Sequence, residues 1–150
     1  MNIRWTVLPF SELSLEQLYA ILKLRVEVFV VEQNCPYQDV DGKDIQSFHL
    51  MGTGPKGTLV AYARILPAGV SFPEVSIGRV CTALQIRKEG GGQELMRQAL
   101  AFISHTYGVI PVRIGAQLYL KRFYSGLGFE VVSKEYLEDN IPHVEMVRLP

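Results

Sequence analysis

The chain has 150 residues, a length expected to fold as one domain, residues 1–150, around one sizeable core. Hydrophobic residues make up 48%, which excludes wholesale disorder, and 15 basic residues balance 15 acidic ones. With no net field to draw it onto nucleic acid or an anionic bilayer, neither is an expected partner.

Arg4, Pro9 and Glu12 break up the apolar core a signal peptide needs, and no apolar run approaches the roughly 20 residues of a membrane helix. Cys35 and Cys81 stand in no metal or redox spacing. Cys81 reads as a small buried hydrophobe, and Cys35 as part of an open polar loop. A reduced, cytoplasmic protein is the expectation.

Ile3 to Leu8 predicts a first strand, stopped by Pro9. Ser14 with Gln17 forms a capping box that opens a helix at Leu15, and Leu15, Leu18, Leu22, Val26 and Phe29 should pack on a sheet. Gln33 to Asp44 carries turn chemistry in Asn34, Pro36, Asp39, Asp41 and Gly42. Gln46 to Thr53 and Leu59 to Leu66 predict an antiparallel hairpin, and Glu74 to Thr82 a fourth strand after a loop. A helix from Gly92 to about Tyr107 then leads to a fifth strand, Val109 to Gly115, parallel to the fourth through a right-handed crossover. Gln117 to Tyr124 reads as a helix, and Phe129 to Val132 with His143 to Leu149 as a closing antiparallel pair. The fold class is α/β (α+β in some schemes), a mixed sheet with helices on both faces.

The stretch joining the fourth strand to the long helix holds the chemistry. Arg87 and Lys88 precede Gly90, Gly91 and Gly92, so the helix starts with bare backbone N–H groups and its positive dipole end open. That arrangement suits an anion such as the pyrophosphate of a nucleotide-type cofactor. A dinucleotide fingerprint fails, because the frame from Gly90 lacks its third glycine and no acidic residue lies between Glu94 and Glu130. A Walker A loop fails for want of Gly-Lys-Ser/Thr.

The run does fit R-x-x-G-x-G, from Arg87 through Gly90 to Gly92, which resembles the acyl-CoA signature of the Gcn5-related N-acetyltransferases (GNAT). The segments 25–37, Asp41-Gly42-Lys43-Asp44, Phe48-His49-Leu50, Ile77-Gly78-Arg79-Val80, Phe123-Tyr124 with Gly128-Phe129, and Ile141 to Met146 resemble the ElaA-type subgroup, in the same order. The resemblance implies a mostly antiparallel sheet with strands four and five splayed, acetyl-CoA as co-substrate, and an N-acetyltransferase using no metal. It implies a cradle of Arg87, Lys88, Glu89, Gly90, Gly91 and Gly92, with Val80, Cys81 and Thr82 offering N–H groups to the thioester carbonyl. Glu89 departs from the family pattern and must point outward or pair with Arg87 or Lys88. Gln117 would help hold the pantetheine arm or else cap a helix. Tyr124 matches the tyrosine that serves as general acid, and a phenol with a pKa near 10 can protonate a departing thiolate.

For the general base, His49 in mid-strand and His143, with Glu145 on the same strand face, are the candidates. His105, late in a helix, reads as a surface residue. Arg25 would line an acceptor pocket or pair with Glu27 or Glu32, while Arg64 and Arg79, charges inside apolar strands, need a partner or a wet cleft. Direct transfer to a small-molecule or peptide amine is the expected activity, and an exposed closing strand could pair in a homodimer. A non-catalytic acyl-CoA-binding module is the alternative. Arg25 and Phe29 with the acidic loop also resemble acyl-homoserine-lactone synthases, which carry longer chains.

Overall fold

The computed structural model describes residues 2–150. Its strands are β1 Arg4–Pro9, β2 Phe48–Thr53, β3 Leu59–Leu66, β4 Val75–Thr82, β5 Val112–Gln117, β6 Phe129–Val131, β7 Tyr136–Glu138 and β8 Ile141–Arg148. The helices are α1 Leu15–Arg25, continued by a π-helical segment Val26–Glu32, then α2 Gly91–Tyr107 and a short α3 Lys121–Ser125. All eight strands join one sheet in the order β1-β2-β3-β4-β5-β8-β6, with β7 also on β8. One edge of β8 pairs with β5 along its length, and β6 and β7 share the other. Only β4 and β5 run parallel.

Alternation along the strands sends Leu50, Ala61, Ala63 and Ile65 to a core shared with Leu95, Met96, Ala99 and Ile103 of α2. Met51, Tyr62 and Cys81 face the other way, against Ile21, Leu24 and Val28. Helices therefore cover both faces, as the strand and helix order implied.

The Ser14–Gln17 capping box forms as expected. The buried face of α1 differs from the expected stripe: Leu15 is 82% exposed and Val26 40%, while Ile21, Leu24 and Arg25 are buried. The inward turn of Arg25 toward Asp39 and Asp44 sets that rotation. β5 starts at Val112 rather than Val109, because Gly108 ends α2 at φ +87° and Pro111 has no N–H to give a ladder. Gln117 ends β5 and stands at the N-cap of a 3-10 turn, Leu118–Leu120, that runs into α3, so the expected helix forms in two pieces and the Gln117 side chain makes no capping bond. β7 was not foreseen.

The parallel pairing is brief. Val75 meets Val112 and Ser76 meets Arg113, after which β4 and β5 part. On its other side, β4 changes register against β3 between Tyr62 and Arg64, and Arg79 there takes a left-handed φ of 51°.

Candidate active-site cleft

A cleft of about 920 Å³ opens where β4 and β5 separate. Val80, Cys81 and Thr82 line it from β4, Ala116 and Gln117 from β5, and Tyr124 from α3. Backbone groups on the parted edges have no partner strand, so an extended chain with amides could pair with them.

Tyr124 is 7% exposed, its ring set edge-on to Phe123 and Phe129 at centroid distances of 5.1 and 6.0 Å. Its hydroxyl lines the cleft without a hydrogen-bond partner among the described residues. Burial pushes the phenol up, so it stays protonated at neutral pH.

At the glycine turn, Gly90 takes φ +77° and precedes the first turn of α2, which no side chain caps. A Cβ on Gly91 would sit 2.7 Å from Ile86 Cδ1 and 3.0 Å from the Ile86 carbonyl oxygen, so only glycine fits. Lys88 and Glu89 are both exposed, and Glu89 points outward as required. Arg87, expected in the cradle, is already engaged within the chain. Its guanidinium donates to both carboxylate oxygens of Glu32 and, from Nε and Nη2, to the Thr82 carbonyl at 3.1 and 2.9 Å. The arginine ties the end of the π-helical segment to the end of β4.

His49 lies outside the cleft and is fully buried. Its Nε2 donates to the Asp44 carbonyl at 2.9 Å, and Nδ1 accepts from Tyr62 at 2.7 Å. Burial lowers its pKa and keeps it neutral, a structural imidazole rather than a base. His143 does line the cleft, stacked on Tyr136. Nδ1 sits 2.7 Å from the Ile141 carbonyl. A carbonyl only accepts, so Nδ1 carries the proton and neutral His143 offers the lone pair of Nε2. Glu145, on the same face, is held by Arg113 at 2.8 Å, and the carboxylate near Nε2 is that of Glu138, at 3.5 Å. Gln117 exchanges amide hydrogen bonds with Gln33 across the cleft, both at 3.2 Å.

The loop before β2 is fixed by three arginines and three aspartates. Arg25 bonds Asp39 and Asp44 at 3.0 and 2.8 Å, Arg64 bonds Asp41 and Asp44 at 2.8 and 2.9 Å, and Arg79 bonds Asp39 at 2.9 Å. Six charges cancel, which is the condition under which such groups tolerate burial. Arg25 thus pairs with neither Glu27 nor Glu32. Among the described residues no group of three or more His, Cys, Asp or Glu side chains is placed to hold a metal, and no helix is long and apolar enough to cross a membrane.

The family model for the acetyltransferase (GNAT) domain matches residues 14–149. This chain belongs to the GNAT acetyltransferase family. It is 48% identical to protein ElaA of Escherichia coli over 148 residues, 97% of this chain and 96% of that protein. The crystal structure of E. coli ElaA superposes with a TM-score of 0.91 at 47% identity, covering 98% of this chain and 99% of that one. A Pseudomonas aeruginosa structure described as an acyl-CoA N-acyltransferase gives 0.92 at 43% identity, covering 98% and 99%. This places the chain in the ElaA-type subgroup, and the splay of β4 and β5 is the GNAT feature its motif implied.

Sequence reasoning about this GNAT chain missed Glu138, Gln33 and Glu32. Gln33 and Glu32 fall where the first helix was expected to end, and Glu138 in a strand too short and charged to show a period. The one signal available was the number of uncompensated arginines in apolar segments, which required acidic partners from somewhere.

Proposed function

We propose that this GNAT chain, as a single domain spanning residues 1–150 and acting in the cytoplasm, transfers an acetyl group from acetyl-CoA to a primary amine in a ternary complex. The observation that carries the reading is the parting of β4 and β5 immediately above a helix entered through glycines, with a buried tyrosine hydroxyl open to the gap. Amides of the pantetheine arm pair with the free edges of β4 and β5, and Gln117 closes the arm in. The N–H groups of Gly90, Gly91 and Gly92, with the positive end of α2, hold the diphosphate through main chain. Arg87 acts by fixing the Thr82 carbonyl and Glu32 rather than by touching phosphate, and Lys88 adds charge at the rim.

N–H groups of Val80, Cys81 and Thr82 polarise the thioester carbonyl. His143 takes a proton at Nε2 as the amine nitrogen bonds the acyl carbon, the carbon–sulfur bond breaks, and Tyr124 gives its proton to the leaving thiolate. Glu145 steadies Arg113 and takes no proton. Direct transfer is favoured over an acyl-cysteine relay, because burial pushes the Cys81 thiol up to about 12.

A thiol-release screen with acetyl-CoA against primary amines tests this reading. Amine-dependent release of CoA is the expected result; binding of acetyl-CoA with no release by any amine would leave the non-catalytic module in its place.

A further inference from the structure

The charges lining the cleft are paired within the chain except for Lys43 at one side and two carboxylates at another. The cleft's three arginines are already engaged: Arg64 by Asp41 and Asp44, Arg79 by Asp39 and Asp41, Arg87 by Glu32. Glu145 is held by Arg113. Glu138 and Asp139 also line the cleft and have no lysine or arginine partner among the described residues. Lys43 donates to Ser71 Oγ at 2.9 Å in the loop before β4, whereas Glu138 stands beside His143, which pairs with Gln117 at the end of β5.

The backbone that carries these two exposed carboxylates is fixed. Asp139 and Asn140 form a two-residue turn with φ of 50° and 65°, and Cys35 Sγ donates to the Asp139 carbonyl at 3.4 Å. Beside them His143, 7% exposed, aims Nε2 into the cleft with no hydrogen bond within the chain, Glu138 being 3.5 Å away. An uncompensated carboxylate next to an imidazole lone pair suits a group that arrives with a positive charge and hydrogens to donate, then gives up a proton.

We propose that the acceptor enters as a primary alkylammonium ion bound by Glu138 with Asp139, loses its first proton to solvent water at the mouth of the cleft, and gives its second to Nε2 of His143 during transfer, and that acceptors bearing a carboxylate beside the amine are repelled. This rests on the transferase reading above. Glu138 serves as a specificity residue for the acceptor and leaves acetyl-CoA alone.

Steady-state kinetics at saturating acetyl-CoA, comparing wild type with Glu138→Gln, separate the possibilities. The probes are a simple alkylamine, charged at neutral pH, and hydroxylamine, which is mostly uncharged there. The KM for the alkylamine should rise about tenfold, the size expected on losing a hydrogen bond to a charged group. The KM for hydroxylamine should change by less than about twofold, as should that for acetyl-CoA. Glu138→Lys should weaken the alkylamine further. Equal changes for the two amines, or wild-type preference for α-amino acids over alkylamines, would overturn the proposal while leaving transfer intact. A wild-type enzyme that acylates no amine would instead remove the transferase reading, and this one with it.

Discussion

Nη1 of Arg25 donates to Oδ1 of Asp44 at 2.8 Å, with side chains 0% and 8% exposed. Asp44 also receives Arg64 at 2.9 Å, so one carboxylate joins α1 and β3 to the loop that walls the cleft. Replacing one partner leaves buried guanidinium charge unanswered. Asp44→Asn should therefore cost about 3–5 kcal/mol of stability. For a chain of this size that lowers Tm by roughly 6–20 °C, measurable by thermal unfolding.

The same cluster makes the fold sensitive to acid. Burial opposes the charge on Asp41, but hydrogen bonds from Arg64 and from the Lys43 backbone N–H, with the charges of Arg64 and Arg79, bring it from 3.8 to about 2. At Asp44, burial is likewise outweighed by Arg25 and Arg64, which lower its pKa. Between the two pKa values of Asp41 the unfolded chain binds more protons than the folded one, so stability rises with pH there. Urea unfolding should show this contribution complete above pH about 4 and lost as pH falls toward about 2. The slope should flatten in Asp41→Asn.

Under the proposed transfer, Tyr124→Phe removes the hydroxyl that protonates the leaving thiolate while keeping the ring contacts with Phe123 and Phe129. Its kcat should drop by about 10²–10⁴, with acetyl-CoA affinity by calorimetry within about threefold. A rate equal to wild type would remove Tyr124 from the mechanism.

Gly91→Ala drives a methyl against the Ile86 side chain and carbonyl, the carbonyl at 3.0 Å being unable to move aside cheaply. The start of α2 must shift. The expected outcome is a loss of about 1–3 kcal/mol in stability together with a Kd for acetyl-CoA raised at least tenfold. Gly92→Ala provides the contrast: its Cβ would meet Phe123 at an ordinary 3.6 Å and should leave stability nearly unchanged.

Both cysteines are buried, and Cys35 is not the open loop residue its polar neighbours suggested: it is 8% exposed and hydrogen-bonded to the Asp139 carbonyl. With the Cys81 thiol at about 12, alkylation at pH 8 should leave Cys81 unmodified until the chain is unfolded, as mass spectrometry can show. Cys81→Ala should retain amine-dependent turnover, consistent with direct transfer.

Much of the architecture was legible because it rests on local chemistry. The Ser14–Gln17 box, the apolar run of β4 and the glycine entry to α2 each announce themselves within a few residues. The failures were long-range. Nothing near Arg25 in the sequence names Asp39 and Asp44, 14 and 19 residues away, yet those bonds decide which face of α1 is buried. Nothing near Arg87 names Glu32, 55 residues earlier, as the carboxylate that engages it. β7 has only three residues, with Leu137 68% exposed, and its existence depends on β8 offering an open edge. The tautomer of His143 is set by the Ile141 carbonyl two residues back, a contact that no spacing in the sequence announces.

The central claim is that the start of α2 holds the diphosphate of acetyl-CoA while β4 and β5 admit its acyl arm. An NMR titration of ¹⁵N-labelled protein with acetyl-CoA, and in parallel with S-acetylpantetheine, tests it directly. Acetyl-CoA should shift the amides of Gly90, Gly91 and Gly92 together with those of Val80 to Thr82, whereas S-acetylpantetheine should shift only the β4 set. Saturation with acetyl-CoA that leaves the three glycine amides unmoved would contradict the account.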